Sequence, residues 1–338
     1  MKKIFSTLAI IFAGTQLFAT IRTCNNNNPS PGQYSTLTAA VTASVGFGDT
    51  IYLSGSPVSY GNITLSSPIC IIGTGQNPSK QNPLVSTIGN INVQAAAVAS
   101  RLTGLEIGNI SIASTSSGTL NISRSTFNIF NVIQSAGLHV NIYSSILKGA
   151  FSFTNGATNL NLKNCIVTHY LDLSTFDENV SIRNCVFIGS YIKFVSTISA
   201  NGNAVIKNNI FYGPSPDAGI TVPPFVNQAI YTHNISYLNT FPDDDGNNIV
   251  ANPLFVNVPI GTTAYNPAHD YHLQATSPGV LNLGDDLTQR GIYGSILPNT
   301  FSTTGMPGIP SIQTMSITPS TVLSGQSIQV NFSSKTNQ

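Results

Sequence analysis

Three cationic side chains recur along the middle of the chain at nearly constant spacing. Lys163, Arg183 and Lys207 are separated by 20 and 24 residues, and Tyr143 precedes them by 20. Ammonium and guanidinium groups bind carboxylates and phosphates through charge-assisted hydrogen bonds, so a row of them predicts a site for an anionic glycan or a phosphate. The alternative is a solvated face that opposes aggregation, helped by the acidic pair at 177–178.

An oxygen-rich stretch provides a candidate metal site. Asp243, Asp244 and Asp245 are followed by Gly-Asn-Asn, and carboxylate and amide oxygens are the ligands that Ca²⁺ prefers. Consecutive aspartates rarely converge on one ion, and Asp-Gly-Asn clusters are also typical of solvated turns, so both interpretations stay open. Apart from this Ca²⁺ site the sequence indicates no cofactor, because it has no Cys-X-X-Cys motif or Cys/His cluster suited to zinc.

Acid–base chemistry has one candidate near the end of the repeats. Asp285 and Asp286 are adjacent, and Arg290 follows. Paired carboxylates can act as general acid and base, but turn chemistry accounts for the same residues. No pairing of a nucleophile with a base can be identified, so the sequence predicts no catalytic residue.

Four cysteines allow three pairings. Cys165 and Cys185 are 20 residues apart, so stacked repeats would place them on adjacent strands. Strands in a sheet lie ~4.8 Å apart, which brings the two Cα atoms into the range of a disulfide. A ladder of buried free thiols is the alternative. Cys24 and Cys70 are candidates for a bridge between the amino-terminal segment and the first coils.

The elements that position these residues come from a repeat of about twenty residues. It reads LNISRSTF from Leu120, VNIYSSIL from Val140, LNLKNCIV from Leu160, VSIRNCVF from Val180, AVIKNNIF from Ala204 and AIYTHNIS from Ala229. A fixed period of this length predicts a solenoid in which each repeat is one coil. Alternation along a strand places the first and third residues in the core and the residues between them outside. At the corner after this strand, successive repeats have an asparagine at the same position: Asn164, Asn184 and Asn208. Asn tolerates positive φ, so we predict positive φ at this corner.

Both ends of the rod have predicted covers. A helix with Ser35 as its N-cap and apolar residues at 37, 40 and 41 is expected to cover the first coil. In the tail, residues 312–317 and 327–332 predict two short strands that dock on the last coil or serve as an export or attachment signal.

Composition narrows the classes of function. Charged residues make up 7% of the chain and the formal net charge is +1, so bulk charge does not favour a nucleic-acid partner. Residues 1–19 combine two lysines, a short apolar run and Leu-Phe-Ala, which predicts a signal peptide and a secreted or cell-surface protein. The mature chain has no apolar run long enough to span a membrane.

Several segments resemble the right-handed parallel β-helix proteins of the pectate-lyase-like superfamily, of a bacterial exported type. They are STLTAAVTASVGFGDTIYLSG (35–55), SPICIIGTG (67–75), ANPLFVN (251–257), DYHLQATSPGVLNLGDD (270–286) and RGIYG (290–294). The resemblance implies an all-β fold. A right-handed parallel β-helix solenoid with an amino-terminal helix cap would cover residues 20–300, and a short β tail would cover residues 301–338.

The superfamily includes lyases and glycoside hydrolases that act on acidic polysaccharides, with several aspartates on one sheet or paired aspartates and a Gly-His-Gly turn. This chain has 12 acidic residues, and none of them recurs at the same position in successive repeats. It also has no Gly-His-Gly triplet, so no catalytic residue carries over. We therefore expect an exported, non-catalytic protein that binds a polysaccharide or cell-surface glycan, or serves in adhesion or structure. The alternative is a polysaccharide lyase or glycoside hydrolase acting on an acidic polysaccharide.

Overall fold

Apolar and polar residues alternate in each repeat, and the repeats form parallel strands that stack into a β-solenoid of about six turns. The all-β fold class is therefore confirmed. The computed structural model describes residues 19–27, 32–76, 84–113, 117–133, 137–154, 158–173, 179–190, 192–193, 204–213, 220–221, 229–237, 246–295, 301–308, 310–318, 327 and 329–336.

The helices are α1 (Leu37–Ala43) and α2 (Pro278–Leu281), and a 3₁₀ turn spans Ala95–Ala97. The strands, in chain order, are β1 (Ile21–Cys24), β2 (Asp49–Leu53), β3 (Ile63–Leu65), β4 (Ile69–Ile72), β5 (Thr87–Val93), β6 (Arg101–Thr103), β7 (Glu106–Ile112), β8 (Gly118–Ser123), β9 (Thr126–Ile133), β10 (Leu138–Tyr143), β11 (Ile146–Leu147), β12 (Phe151–Thr154), β13 (Thr158–Lys163), β14 (Ile166–Val167), β15 (Leu171–Asp172), β16 (Val180–Arg183), β17 (Val186–Ile188), β18 (Ile192–Lys193), β19 (Ala204–Lys207), β20 (Ile210–Tyr212), β21 (Ile220–Thr221), β22 (Ala229–Thr232), β23 (Ile235–Tyr237), β24 (Ile249–Val250), β25 (Phe255–Asn257), β26 (Asp270–Leu273), β27 (Pro310–Thr318) and β28 (Gln329–Thr336).

Two parallel sheets run along the rod. Within the described ranges, sheet A has ten strands in the order β1-β2-β4-β6-β8-β10-β13-β16-β19-β22. Sheet B contains the other strands of the coils, from β3 to β24. The start of β9 pairs with β11 and its end pairs with β12. Later coils therefore contribute two short strands to sheet B where β5, β7 and β9 contribute one long strand each.

The interior is built from the two apolar rows that the repeat predicts. Val140 pairs directly with Leu120 on one side and with Leu160 on the other. The first residues of the repeats are at most 2% exposed from Leu120 to Ala204, and the third residues are fully buried from Ile122 to Ile206. Burying each Leu, Val or Ile side chain of these rows contributes about 1.5–3 kcal/mol. The prediction that both rows lie in the core is confirmed.

The row of left-handed residues is also where the sequence predicts it. Asn164, Asn184 and Asn208 have φ of 53°, 53° and 60°. The same corner in other coils holds Arg124, Ser144 and His233, at φ of 51°, 48° and 57°. Asn tolerates this conformation better than most residues, and the corner is repeated even where the residue type is less suited.

A row of buried polar side chains lies just inside this corner. The Oγ of Ser145 accepts a hydrogen bond from the backbone N of Ser125 at 3.2 Å, one coil earlier. Further along the row, the Oδ1 of Asn209 accepts from the backbone N of Cys185 at 2.9 Å, and that of Asn234 accepts from the backbone N of Asn209 at 3.0 Å. The side chains thus satisfy backbone donors at the corner, which burial would otherwise make costly.

The amino-terminal helix α1 packs its buried residues Leu37 and Ala40 against the start of the rod. The prediction of Ser35 as N-cap is wrong by one residue. Thr36 has the extended backbone of an N-cap, and its side chain accepts from the backbone N of Ala39 at 3.3 Å. This hydroxyl therefore satisfies the free N–H at the helix start.

Beyond the last coil the chain turns back along the corner. Residues 284–295 and 301–308, here called the return segment, are held by four side chains of the coils: Asn208 Oδ1 accepts from Asp285 N, Asn164 Nδ2 donates to the carbonyls of Ile292 and Gly294, Arg124 Nη1 donates to the Met306 carbonyl, and Gln76 Nε2 donates to the Ser302 carbonyl. The segment therefore connects the last coils with the first.

The apolar row that begins at Ile146 is buried under the end of the chain, outside the interior. Ile146, Val186 and Ile235 belong to a separate core cluster with Phe255 and Ile292. The next residues along these strands face the interior, as Leu147 and Phe187 do. Sheet B is therefore buried on both faces here.

The tail from residue 310 forms an antiparallel hairpin of β27 and β28, with Pro310 opposite Thr336 and Thr318 opposite Gln329. The two predicted tail strands are confirmed and are longer than predicted. The predicted signal peptide, residues 1–19, lies outside the described residues except for Ala19. Among the described residues, no helix has the length and hydropathy to cross a membrane.

Candidate anion-binding face

The cationic residues form one row on the outer face of sheet A. Lys163 pairs with Arg183 across β13 and β16, and Arg183 pairs with Lys207 across β16 and β19. Tyr143 lies opposite Lys163 on β10. Stacking at ~4.8 Å per strand therefore brings the four predicted residues together in the predicted order. We call Tyr143, Lys163, Arg183 and Lys207 the basic row.

Stacked like charges repel each other, and the chain itself supplies a counter-charge. The Oδ2 atom of Asp285, from the return segment, lies 3.0 Å from Lys207 Nζ and 3.7 Å from Arg183 Nη1. Its Oδ1 accepts a hydrogen bond from Asn208 Nδ2 at 2.7 Å. Sequence reasoning considered Asp285 only as an acid–base residue. The acidic pair at 177–178, which it assigned to a solvated face, lies outside the described residues.

Asp285 remains ionised in this environment. Burial opposes ionisation, but the hydrogen bonds from Lys207 and Asn208 and the charges of Lys207 and Arg183 outweigh it. They hold the pKa of Asp285 below its ordinary value. Two of the three cations are thus paired within the molecule.

Lys163 differs from its neighbours in the basic row. Among the described residues, no carboxylate lies within ion-pair distance of its ammonium group. Beside it, the hydroxyl of Tyr143 accepts a hydrogen bond from Asn161 Nδ2 at 3.0 Å. Burial raises the pKa of Tyr143, so the phenol stays protonated at neutral pH and can donate its own hydrogen.

A groove of about 490 Å³ continues from Tyr143 toward the start of the rod. Its lining includes Arg101, Asn121 and Ser123 on the outer face of sheet A, and Pro307 of the return segment forms one wall. Arg101 is exposed and, within the described ranges, has no acidic partner. Sequence reasoning missed Arg101, although it lies 20 residues before Asn121, because Ser100 stands where the later repeats have their first apolar residue. Its pairing with Asn121 places it on this face.

Neutral polar side chains fill the neighbouring row. Asn121, Asn141 and Asn161 pair in succession, and Asn141 Nδ2 donates to Asn121 Oδ1 at 3.0 Å. The amides offer donors and acceptors beside the cations. The face can therefore hold an elongated polar ligand that carries anionic groups, and hydroxyl groups of the ligand would meet the asparagines.

The predicted calcium residues Asp243, Asp244 and Asp245 lie outside the described residues, so that site stays a prediction. In the described parts of the chain, no group of three or more His, Cys, Asp or Glu side chains is placed to hold a metal. The adjacent Asn248 serves the structure, since its Nδ2 donates to the Tyr231 carbonyl at 2.8 Å.

The predicted disulfides are absent from the structure, where all four cysteines are free. Cys24 on β1 is opposite Leu53 of β2, and Cys70 on β4 is opposite Thr50 of the same strand β2. Of these two cysteines, Cys24 is fully buried and Cys70 is partly exposed. The offset of three residues and two strands separates these Cα atoms by roughly 14 Å, beyond the reach of a disulfide. The predicted Cys24–Cys70 disulfide is therefore wrong.

Cys165 and Cys185 are stacked neighbours, as predicted, and form the free-thiol ladder that was the alternative. Their Sγ atoms lie 3.2 Å from the carbonyl oxygens of Lys163 and Arg183 respectively. Burial, followed by the neighbouring Cys185, raises the pKa of Cys165. Cys165 is therefore a protonated thiol, and the Sγ atoms of both cysteines donate hydrogen bonds to the backbone.

Asp286 and Arg290 stabilise the turn, and the candidate acid–base pair of Asp285 and Asp286 is divided between different partners. Asp286 Oδ1 accepts from the backbone N and the Oγ1 of Thr288, at 3.1 and 2.7 Å. Arg290 is 3% exposed, and its guanidinium donates to the carbonyls of Asn234, Asn247 and Asn282 at 2.9–3.0 Å. Arg290 therefore fastens the chain end to the last coils.

No protein-family model matches the chain, and no curated protein shows significant sequence similarity to it.

Proposed function

We propose that this protein is an exported, non-catalytic member of the pectate-lyase-like β-helix superfamily that binds an acidic glycan outside the cell or at its surface. The ligand lies along the outer face of sheet A, where Lys163 and the groove with Arg101 offer positive charge beside a row of amides. The observation that carries the proposal is that Lys163 and Arg101 have no acidic partner among the described residues.

The spacing of the two cations suits a polymer better than a small anion. Arg101 pairs with Asn121, and its row reaches Asn161 beside Lys163 three strands later. At ~4.8 Å per strand, Arg101 and Lys163 are about 14 Å apart along the rod. A linear polyuronate, which repeats its carboxylate along the chain, can reach both, whereas a single phosphate cannot.

Binding of the mature protein to polygalacturonate, with dextran as a neutral comparison, tests the proposal. We expect the wild type to bind the polyuronate, and we expect the variant Lys163→Ser/Arg183→Ser/Lys207→Ser to lose most of that binding. Lys148→Ser is the matched control, because Lys148 is exposed and follows a strand of sheet B.

Equal binding by the triple variant would sink the proposal. Equal retention on polyphosphate and polygalacturonate would indicate a general anion site. Shortening of the polymer during the assay would favour the alternative, a polysaccharide lyase or glycoside hydrolase. Failure to bind any glycan would favour a structural surface component.

A further inference from the structure

We infer that Asp285 determines where along the basic row an acidic ligand binds. Its carboxylate fills the position between Arg183 and Lys207, so that the ligand is restricted to Lys163, Tyr143 and the groove. This inference rests on the proposed function, and it adds a residue from the return segment that determines specificity.

The carboxylate of Asp285 is fixed in place. Its Oδ1 accepts from Asn208 Nδ2 at 2.7 Å, and its own backbone N donates to Asn208 Oδ1 at 3.1 Å. These two bonds join the residue to the corner next to Lys207. Its side chain is 24% exposed, so most of the position that an external carboxylate would take is already occupied.

A ligand could reach Lys207 only by displacing this internal partner. The exchange would replace one carboxylate by another at Lys207 and would leave Asp285 without its cations, so it offers little net gain. At Lys163 the same ligand has no described carboxylate to displace. The sequence repeats the cation three times, and within the described residues one of the three has no carboxylate partner.

Single substitutions separate the open cation from the occupied one. In the wild-type background, we expect Lys163→Ser to weaken binding to polygalacturonate about tenfold, the effect of one lost charge-assisted contact. We expect Lys207→Ser to change binding less than about twofold. This comparison holds even if substitution of Asp285 destabilises the fold.

Asp285→Asn keeps the shape of the side chain and removes its charge. We expect it to bind polygalacturonate about tenfold more tightly, since two cations become available, and to become sensitive to Lys207→Ser. Asp286→Asn is the matched control, because it removes the same charge from a neighbour whose carboxylate contacts Thr288. Thermal unfolding of each variant monitors the fold.

The outcomes distinguish this inference from the proposed function. If Lys163→Ser loses binding while Asp285→Asn and Asp286→Asn behave alike, the inference fails and the proposed function stands. Equal losses from Lys163→Ser and Lys207→Ser in the wild type would overturn the inference in the same way. If neither the wild type nor Asp285→Asn binds, both are overturned.

Discussion

The buried polar row makes a specific prediction about stability. Asn209 is fully buried, and its side chain accepts from the backbone N of Cys185 at 2.9 Å and donates to the carbonyl of Ile182 at 3.0 Å. Asn209→Ala would leave the buried backbone N of Cys185 without its side-chain partner, and it would remove the hydrogen bonds from Asn209 Nδ2 to the Ile182 carbonyl and to Asn234 Oδ1. The unsatisfied N–H costs ~1–3 kcal/mol and each of the two other lost hydrogen bonds costs ~0.5–1.5 kcal/mol, so we expect the free energy of unfolding to fall by about 2–6 kcal/mol.

Urea-induced unfolding, followed by far-UV circular dichroism, measures this loss as a lower midpoint at constant slope. Asn121→Ala is the control, because Asn121 lies on the outer face and shares a side-chain hydrogen bond with Asn141; it should cost less than ~1 kcal/mol. Asn209→Ser should recover part of the loss, since serine fills the same row at Ser125 and Ser145. The reasoning is refuted if Asn209→Ala and Asn121→Ala unfold within ~0.5 kcal/mol of each other.

Three further outcomes follow from the corner, the first coil and the thiols. Asn164→Ala removes two hydrogen bonds to the return segment and adds strain at φ 53°. It should lower the free energy of unfolding by ~2–4 kcal/mol. Asn164→Gly avoids the strain, so it should melt at a higher temperature than Asn164→Ala. Although burial opposes ionisation of Asp49, hydrogen bonds from two backbone N–H groups and from Arg22 hold its pKa below the ordinary value. Its stabilisation is therefore complete above the unfolded-chain pKa of ~3.9 and is lost as the pH falls through the folded value. Asp49→Asn should make the melting temperature depend less on pH below about 4, and an unchanged acid dependence would contradict this. The thiols of Cys165 and Cys185 are fully buried, so they should react with a thiol reagent only when the protein is unfolded. Rapid labelling of the native protein would show that these two thiols are accessible to solvent.

The sequence predicts the solenoid well because its signals are local and repeated. Leu120, Val140 and Leu160 fall in one buried row because strands alternate with period two and the repeat has a nearly fixed length. Asn164 and Asn184 mark the corner for an equally local reason, since few residue types accept positive φ.

The candidate site could be predicted only in part. The basic row follows from the register of the repeats, but Asp285 reaches it across 78 residues from Lys207, and nothing periodic indicates that contact. Arg101 was missed for a different reason: its repeat keeps the 20-residue spacing, but Ser100 replaces the apolar first residue that marks the later repeats. Contacts made by a non-repeating segment depend on the path of the chain in three dimensions, which the repeat does not specify.

The path of the return segment ties the number of coils to a fixed length of chain. One stretch touches both Gln76 and Asn208, at opposite ends of the stack. An additional coil between them would lengthen the stack by ~4.8 Å, and the same stretch would then have to span a greater distance. Repeat proteins generally grow by duplication of a unit. Here a duplicated coil would also require a longer return segment, so the length of that segment limits the number of coils.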